Sequence, residues 1–215
     1  MGRVRLSRRE RERSMHRQQM LEAAERVFVR DGYRGATIER TAQEADFAVG
    51  TLYNFFKSKE ELFGEVITKL ASEVLALLEE KVFNEADPLA ALEALIDVRL
   101  TFPLKHRGFA RVFFEAAPGA AVDLSSSLPD GCRELYDRYV RSVVGILESG
   151  MRSGVFRAED PLYVTLCLEG VFRNLGVYWI KETTEVQAEA VEKVKRILLG
   201  MVCRENGRIE EGHVR

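Results

Sequence analysis

Apolar residues recur along this chain at intervals of three and four, the spacing of one helix face. From Ser14 to Asp31 the stripe is Met20, Leu21, Ala24, Val27 and Phe28. Asp31-Gly32 predicts its end, with Gly32 as a left-handed cap. Thr37 is the expected N-cap of a second helix reaching about Ala45. No capping box forms there, because Arg40 stands where Glu is needed. Asp46-Phe47 supplies a turn, and a third helix covers roughly Ala48 to Phe55. Ser58 then caps a fourth helix with Glu60 and Glu61 in its first turn, where negative charge suits the helix dipole. It runs to about Val82 with Leu62, Phe63, Val66, Leu70, Val74, Leu77 and Leu78 on one stripe.

Asn84 to Pro88 breaks this pattern. Further helices are expected over Leu89 to about Leu104, Gly108 to Ala117 and Cys132 to Met151, with a loop of small residues from Pro118 to Pro129. In GMRSGVFRAEDP, Gly154 ends one helix, Asp160 caps the next and Pro161 takes its first position. Leu162 to Lys181 and Thr184 to Glu205 complete an all-α chain of about nine helices. Strand-like alternation and internal repeats are both missing from the sequence.

The net charge of −2 hides an asymmetry. Residues 1–60 carry 13 Lys and Arg against 9 Asp and Glu, a net of +4, while residues 61–215 carry 19 against 25, a net of −6. Residues 1–20 alone hold seven Arg and two Glu, a net of +5. Basic charge gathered at one end is a footprint for a polyanion. No apolar run approaches the roughly 18 residues needed to span a membrane, and the Arg-rich start lacks the apolar segment of a secretory leader. Cys132, Cys167 and Cys203 are widely spaced without a CxxC pair, so buried free thiols in a cytoplasmic setting are expected, with no metal and no cofactor.

Thr37 to Phe63 is the most telling stretch: two short helices, a tight turn, then a third helix. Its second helix puts Gly50, Thr51, Tyr53 and Asn54 on a surface bounded by Lys57 and Lys59, which suits a helix entering a major groove with flanking groups on phosphates. LEAAERVFVRDGYRGATIERTAQEA followed by GTLYNFFKSKEELF resembles the N-terminal domain of the TetR family of bacterial transcriptional regulators, over about residues 17 to 66. The turn SGVFRAEDP resembles that family's junction before its last two helices. The resemblance implies base-edge positions for Val49, Gly50, Thr51 and Asn54, and phosphate positions for Thr37, Tyr53 and Lys59. Arg17 and Lys57 complete the candidate DNA contacts. Lys59 and the first turn of the fourth helix offer an ammonium and free backbone N–H groups to an anion. Leu52, Phe56 and Phe63 are expected in the core.

Four departures from the family pattern stand out. Asp46 takes the place of a usual Gly in the turn. Thr41 replaces Ile or Val. Ala48 replaces a capping Ser, with Asp46 as the substitute cap. Phe55 replaces His or Tyr and removes a phosphate contact. Readout then leans on the DNA backbone, DNA shape and an arm carrying Arg3, Arg5, Arg8 and Arg9, which suits a minor groove.

The expected division is a disordered basic arm over 1–13, a helix-turn-helix DNA-binding domain over 14–58, a ligand-binding and dimerisation domain over 59–205 and a flexible tail over 206–215. One recognition helix reads few base pairs, so a two-fold homodimer on a near-palindromic double-stranded operator is expected. Its surface is assigned to the last two helices: Leu166, Val171, Leu175 and Tyr178 on one, Val194, Ile197, Leu198 and Met201 on the other. The resemblance further implies a pocket for a small apolar or amphipathic effector. Phe102, Phe109, Phe113, Tyr136, Tyr139, Phe172 and Arg173 are its candidate lining, with Arg99, His106 and Asn174 as further polar anchors. The expected function is a ligand-responsive regulator, most simply a repressor. Catalysis finds no GxSxG, HExxH, GxGxxG or P-loop, and the three histidines lie in unrelated contexts. A helical module that contacts another protein stays open as the alternative, because Phe47, Phe55 and Phe56 flank a neutral recognition surface.

Overall fold

The structure, a computed structural model, describes residues 7–116, 129–181 and 188–204. Ser7 starts helix α1 (Arg8–Gly35). Its hydroxyl accepts the Glu10 N–H at 3.2 Å, and the Glu10 carboxylate accepts the Ser7 N–H at 2.7 Å. This reciprocal pair satisfies two donors that a helix start leaves bare. Arg8 to Arg13, expected in a disordered arm, are therefore helical, and α1 begins well before Ser14. Arg3, Arg5 and the tail from 206 lie outside the described residues. Gly32 (φ 70, ψ 169) interrupts α1 in a region open only to glycine, rather than in the left-handed helical well of the expected cap.

Helix α2 (Ile38–Glu44) starts at Thr37, whose hydroxyl accepts the Arg40 N–H at 3.2 Å. Asp46, at φ 59, is the one non-glycine residue with positive φ among the described residues, and α3 (Val49–Tyr53) follows. Helix α4 (Lys59–Leu78) is capped by Ser58, whose hydroxyl accepts the Glu61 N–H at 3.2 Å. A π-helical turn (Glu79–Phe83) extends α4, and the Asn84 amide closes it on the Glu79 carbonyl at 2.7 Å. Asp87 and Pro88 then start α5 (Pro88–Lys105), followed by α6 (Arg107–Ala116), α7 (Asp130–Arg152), α8 (Pro161–Lys181) and α9 (Ala188–Val202). Asp160 caps α8 through the Leu162 and Tyr163 N–H groups at 2.9 and 3.2 Å. The loop expected before Pro129 and the start of α9 expected at Thr184 lie outside the described residues. No described helix is long and apolar enough to cross a membrane.

The chain forms two compact units, Met1–Ala71 with Gly108–Cys132, and Ser72–Arg107 with Arg133–Arg215. Helix α4 runs on unbroken from Lys59, and its first half buries Leu62, Phe63 and Val66 in the first unit. In that unit Phe28 meets Phe63 at 4.9 Å and Phe109 at 6.4 Å between ring centroids. Phe109, expected on a pocket wall, is thus core of the first unit, and Phe113 belongs to the same unit and is buried. Gly108 admits this packing, since a Cβ there would meet Val29 Cγ1 at 2.6 Å.

The second unit gathers Leu75, Leu78, Leu92, Leu95, Ile96, Val143, Leu147, Phe156, Leu168, Phe172 and Leu198 into one core. Phe156 pairs with Cys203 across a two-residue bridge that the sequence did not announce, made by Arg157 N–H to Val202 O at 3.0 Å and Arg204 N–H to Val155 O at 3.1 Å. The Arg157 guanidinium also donates to the Gly200 and Cys203 carbonyls at 3.2 and 3.1 Å, covering the last acceptors of α9. Of the cysteines, Cys132 is buried, Cys203 half-buried and Cys167 exposed, so burial fails for the third.

Candidate nucleic-acid interface

Leu52 and Phe56, both fully buried, fix the inner side of α3. Beside them Thr41 is also buried, and its hydroxyl donates to the Thr37 carbonyl at 3.1 Å, so the polar substitution leaves no orphan group. The outer side carries Val49, Gly50, Tyr53 and Asn54, all exposed, with Thr51 half-buried. A Cβ on Gly50 would meet nothing within 4 Å. Internal packing therefore does not demand glycine; the residue leaves bare backbone on the outer face. Ala48 gives α3 no side-chain cap, and Asp46 does not replace it. What Asp46 contributes is the left-handed turn, which Asp tolerates better than most side chains.

Anions of the protein's own occupy several positions expected to face phosphate. The Tyr53 hydroxyl donates to Glu39 at 3.2 Å. Glu39 is held below the usual carboxylate range, first by its own backbone N–H, and the Tyr53 hydroxyl is pushed up by the Glu39 charge. At the start of α4 the Glu61 N–H goes to Ser58, and the Lys57 N–H goes to the Glu61 carboxylate at 2.7 Å. Glu60 accepts from its own N–H and from the Tyr33 hydroxyl at 3.3 Å, and its pKa is lowered chiefly by the former. The Glu60 and Glu61 N–H groups, expected to be free for an anion, are thus engaged. Lys59 donates to the Tyr33 carbonyl at 3.0 Å with its ammonium 4.8 Å from the Tyr33 ring centroid. Thr37 is exposed while its hydroxyl caps α2.

Among the cations, Arg17 pairs with Glu65 at 2.7 Å and lies over Phe56. Arg26 and Arg30 pair with Glu44, and Arg30 and Arg40 with Asp31. The residue that the sequence reading left out is Arg13. Helical because of the Ser7 cap, it sits 5.4 Å over the Phe55 ring beside α3. Ser-Arg-Arg-Glu, a capping box written in the sequence, was the signal for it.

In the second unit Tyr139 and Arg99 both bond Glu169: the Tyr139 hydroxyl donates to one carboxylate oxygen and Arg99 Nη2 to the other, the latter at 2.9 Å. The Arg99 guanidinium lies 5.2 Å over Tyr139 and 5.4 Å over Phe172. The Phe102 ring lies tilted against that of His106, which caps the end of α5, and the Tyr136 ring against that of Tyr139. The Asn174 amide is taken by the Gly170 carbonyl at 2.7 Å. On α8 and α9, Leu166, Tyr178, Ile197 and Met201 are exposed, as are Leu162 and Tyr163, whereas Val171, Leu175 and Val194 are half-buried against the core. Leu198, expected on the same outer face, is 1% exposed, because its place on α9 turns it inward.

Residues 20–66 match the family described as bacterial regulatory proteins, tetR family. Over those residues the chain carries the N-terminal domain of the tetR family. It is 28% identical over 177 residues to the uncharacterized HTH-type transcriptional regulator YhgD of Bacillus subtilis (strain 168), covering 80% of this chain and 88% of that one. It is 26% identical over 182 residues to the HTH-type transcriptional repressor KstR2 of Rhodococcus jostii (strain RHA1), covering 84% and 87%. The fold resembles that of the fatty acid degradation regulator FadR from Bacillus halodurans, with TM-score 0.71 at 19% identity over 85% of this chain and 94% of that one. With this tetR-type helix-turn-helix unit and relatives named as HTH-type transcriptional regulators, the chain is a DNA-binding transcriptional regulator.

Proposed function

We propose that the chain is a repressor, bound as a homodimer to a near-palindromic operator and released by a small apolar or amphipathic molecule held in the second unit. The observation that carries this is the outer face of α3: Val49, Gly50, Tyr53 and Asn54 stand exposed on a base made rigid by Leu52 and Phe56. Val49, Gly50, Thr51 and Asn54 meet base edges. Thr37, Tyr53, Lys57, Lys59 and Arg17 hold backbone phosphates, with Tyr53 and Arg17 exchanging an internal carboxylate for a phosphate. The repressor among its relatives supports the sign of regulation.

The exposed apolar side chains of α8 and α9 support dimerisation, since a cluster of that kind marks an association surface. Two-fold symmetry then sets two α3 helices roughly 34–36 Å apart, one DNA turn. The effector shifts the population away from the DNA-competent form, and α4, which belongs to both units, is the lever. Operator must weaken effector binding by the factor by which effector weakens operator binding.

The test is fluorescence anisotropy on fragments from the gene's own upstream region, against a scrambled control, at several salt concentrations. Sequence-selective binding whose affinity falls steeply with salt is the expected result. Equal binding to both fragments, or no salt dependence, removes the operator reading and favours a protein partner for the α3 face.

A further inference from the structure

Arg99 and Arg173 bring two guanidinium groups to the helical second unit, on α5 and α8. Glu169, one turn before Arg173 on α8, neutralises only the first: its carboxylate is bound by Arg99 and by the Tyr139 hydroxyl. Burial raises the Tyr139 hydroxyl well above its ordinary value, so it stays a neutral donor. Arg173 has no carboxylate partner among the described residues. The Nε atoms of Arg99 and of Arg173 are both buried without a hydrogen-bond partner among the described residues. The Arg99–Glu169 pair, with the Arg99 guanidinium over the rings of Tyr139 and Phe172, thus has a second cation, Arg173, one helical turn along α8 from Glu169, and each guanidinium keeps one unanswered N–H donor.

A buried guanidinium donor without an acceptor is costly, and the fork of a guanidinium matches an oxoanion in geometry. Aromatic rings beside it suit an apolar skeleton. We infer that the effector is an amphipathic oxoanion, most simply an aliphatic carboxylate, whose head group meets Arg173 and Arg99 and whose tail runs along the aromatic side chains. This rests on the reading of the second unit as the effector site. It goes beyond that reading by assigning the ligand a negative charge and a place for it. Arg173 is the selective element, because Arg99 is already matched by Glu169.

Titration calorimetry on the full-length protein without DNA tests this, with hexanoate, dodecanoate, hexadecanoate, dodecyl phosphate and dodecanol as probes. At least one acid is expected to bind ten-fold or more tightly than dodecanol, and the better of dodecanoate and dodecyl phosphate identifies the head group. Arg173→Gln is expected to abolish that preference while leaving operator affinity unchanged. A second variant, Arg99→Leu with Glu169→Leu, removes the matched pair as a unit and is expected to retain part of the preference. Equal binding of acids and alcohol, no binding of any acid, or a preference that survives Arg173→Gln would each overturn the inference. Operator binding by the same preparation keeps this outcome separate: a protein that binds operator but not acids retains its regulatory role, and one that binds neither loses that reading too.

Discussion

The guanidinium of Arg13 lies 5.4 Å from the centre of the Phe55 ring, and neither residue would be near the other had α1 begun at Ser14. Phe55 cannot hold a phosphate itself. It holds a cation beside the recognition helix instead, an arrangement worth about 0.5–1 kcal/mol at an exposed site. Arg13→Gln is expected to weaken operator binding about five- to ten-fold and to reduce the salt slope by about 1, as for a lost phosphate contact. Phe55→Leu should give part of that loss, and Phe55→Tyr little. A salt titration of each variant decides it, and an unchanged slope for Arg13→Gln removes Arg13 from the interface.

The left-handed backbone at Asp46 carries strain that glycine would not. Asp46→Gly is expected to stabilise the protein by about 0.5–1 kcal/mol, and Asp46→Val to destabilise it by about 1–2 kcal/mol. Urea unfolding curves compare the two.

Ile197 and Met201 are each more than 60% exposed on α9. Replacing both with Glu should leave the monomer's fold intact and abolish dimerisation, and with it operator binding. Light scattering at micromolar protein gives the mass; a dimer of unchanged stability would exclude this face.

Gly150 and Gly145 lie on the same helix and should respond in opposite directions. A Cβ at Gly150 would sit 2.0 Å from the buried Phe156 ring, so Gly150→Ala should cost about 3 kcal/mol or more. Gly145 meets nothing within 4 Å, and Gly145→Ala should stabilise by up to about 1 kcal/mol through helix propensity. Thermal melts of the two variants suffice.

Asp31 and Glu44 form the acid-sensitive part of the first unit. The Arg30 hydrogen bond lowers the Asp31 pKa, and the Arg26 hydrogen bond, then Arg30, lowers that of Glu44. A carboxylate with a depressed folded-state pKa stabilises fully above its unfolded value, about 4, and loses that contribution as pH falls through the folded value. The melting-temperature difference between wild type and Asp31→Asn/Glu44→Gln should therefore be largest near neutrality and close below about pH 4. A constant difference from pH 7 to pH 3 would falsify the assignment.

Helix caps carried most of the legible architecture. Thr37, Ser58, Asp160-Pro161 and Gly154 each act where local chemistry puts them, because a cap depends on a few neighbouring residues. Ser7 was equally local and was passed over, since seven arginines among the first 20 residues suggest solvation before they suggest a helix. Phe109 and Leu198 were less legible for a different reason. Their apolar character shows that they are buried, but the partner depends on how helices far apart in sequence come together, which periodicity does not encode. The buried Glu169 was invisible for the same reason: nothing in LCLEGVFRN places Arg99 and Tyr139 beside it.

Glu39 and Glu60 sit in the first turns of α2 and α4 and bind the N–H groups there, each joined by a tyrosine hydroxyl. The free protein thus keeps a resident anion at both helix starts. On the proposed DNA reading, a phosphate reaching either place would have to displace that glutamate from its donors. Association at these two points would then be a substitution reaction, governed by which of two anions the donors prefer and open to competition from any third anion in solution.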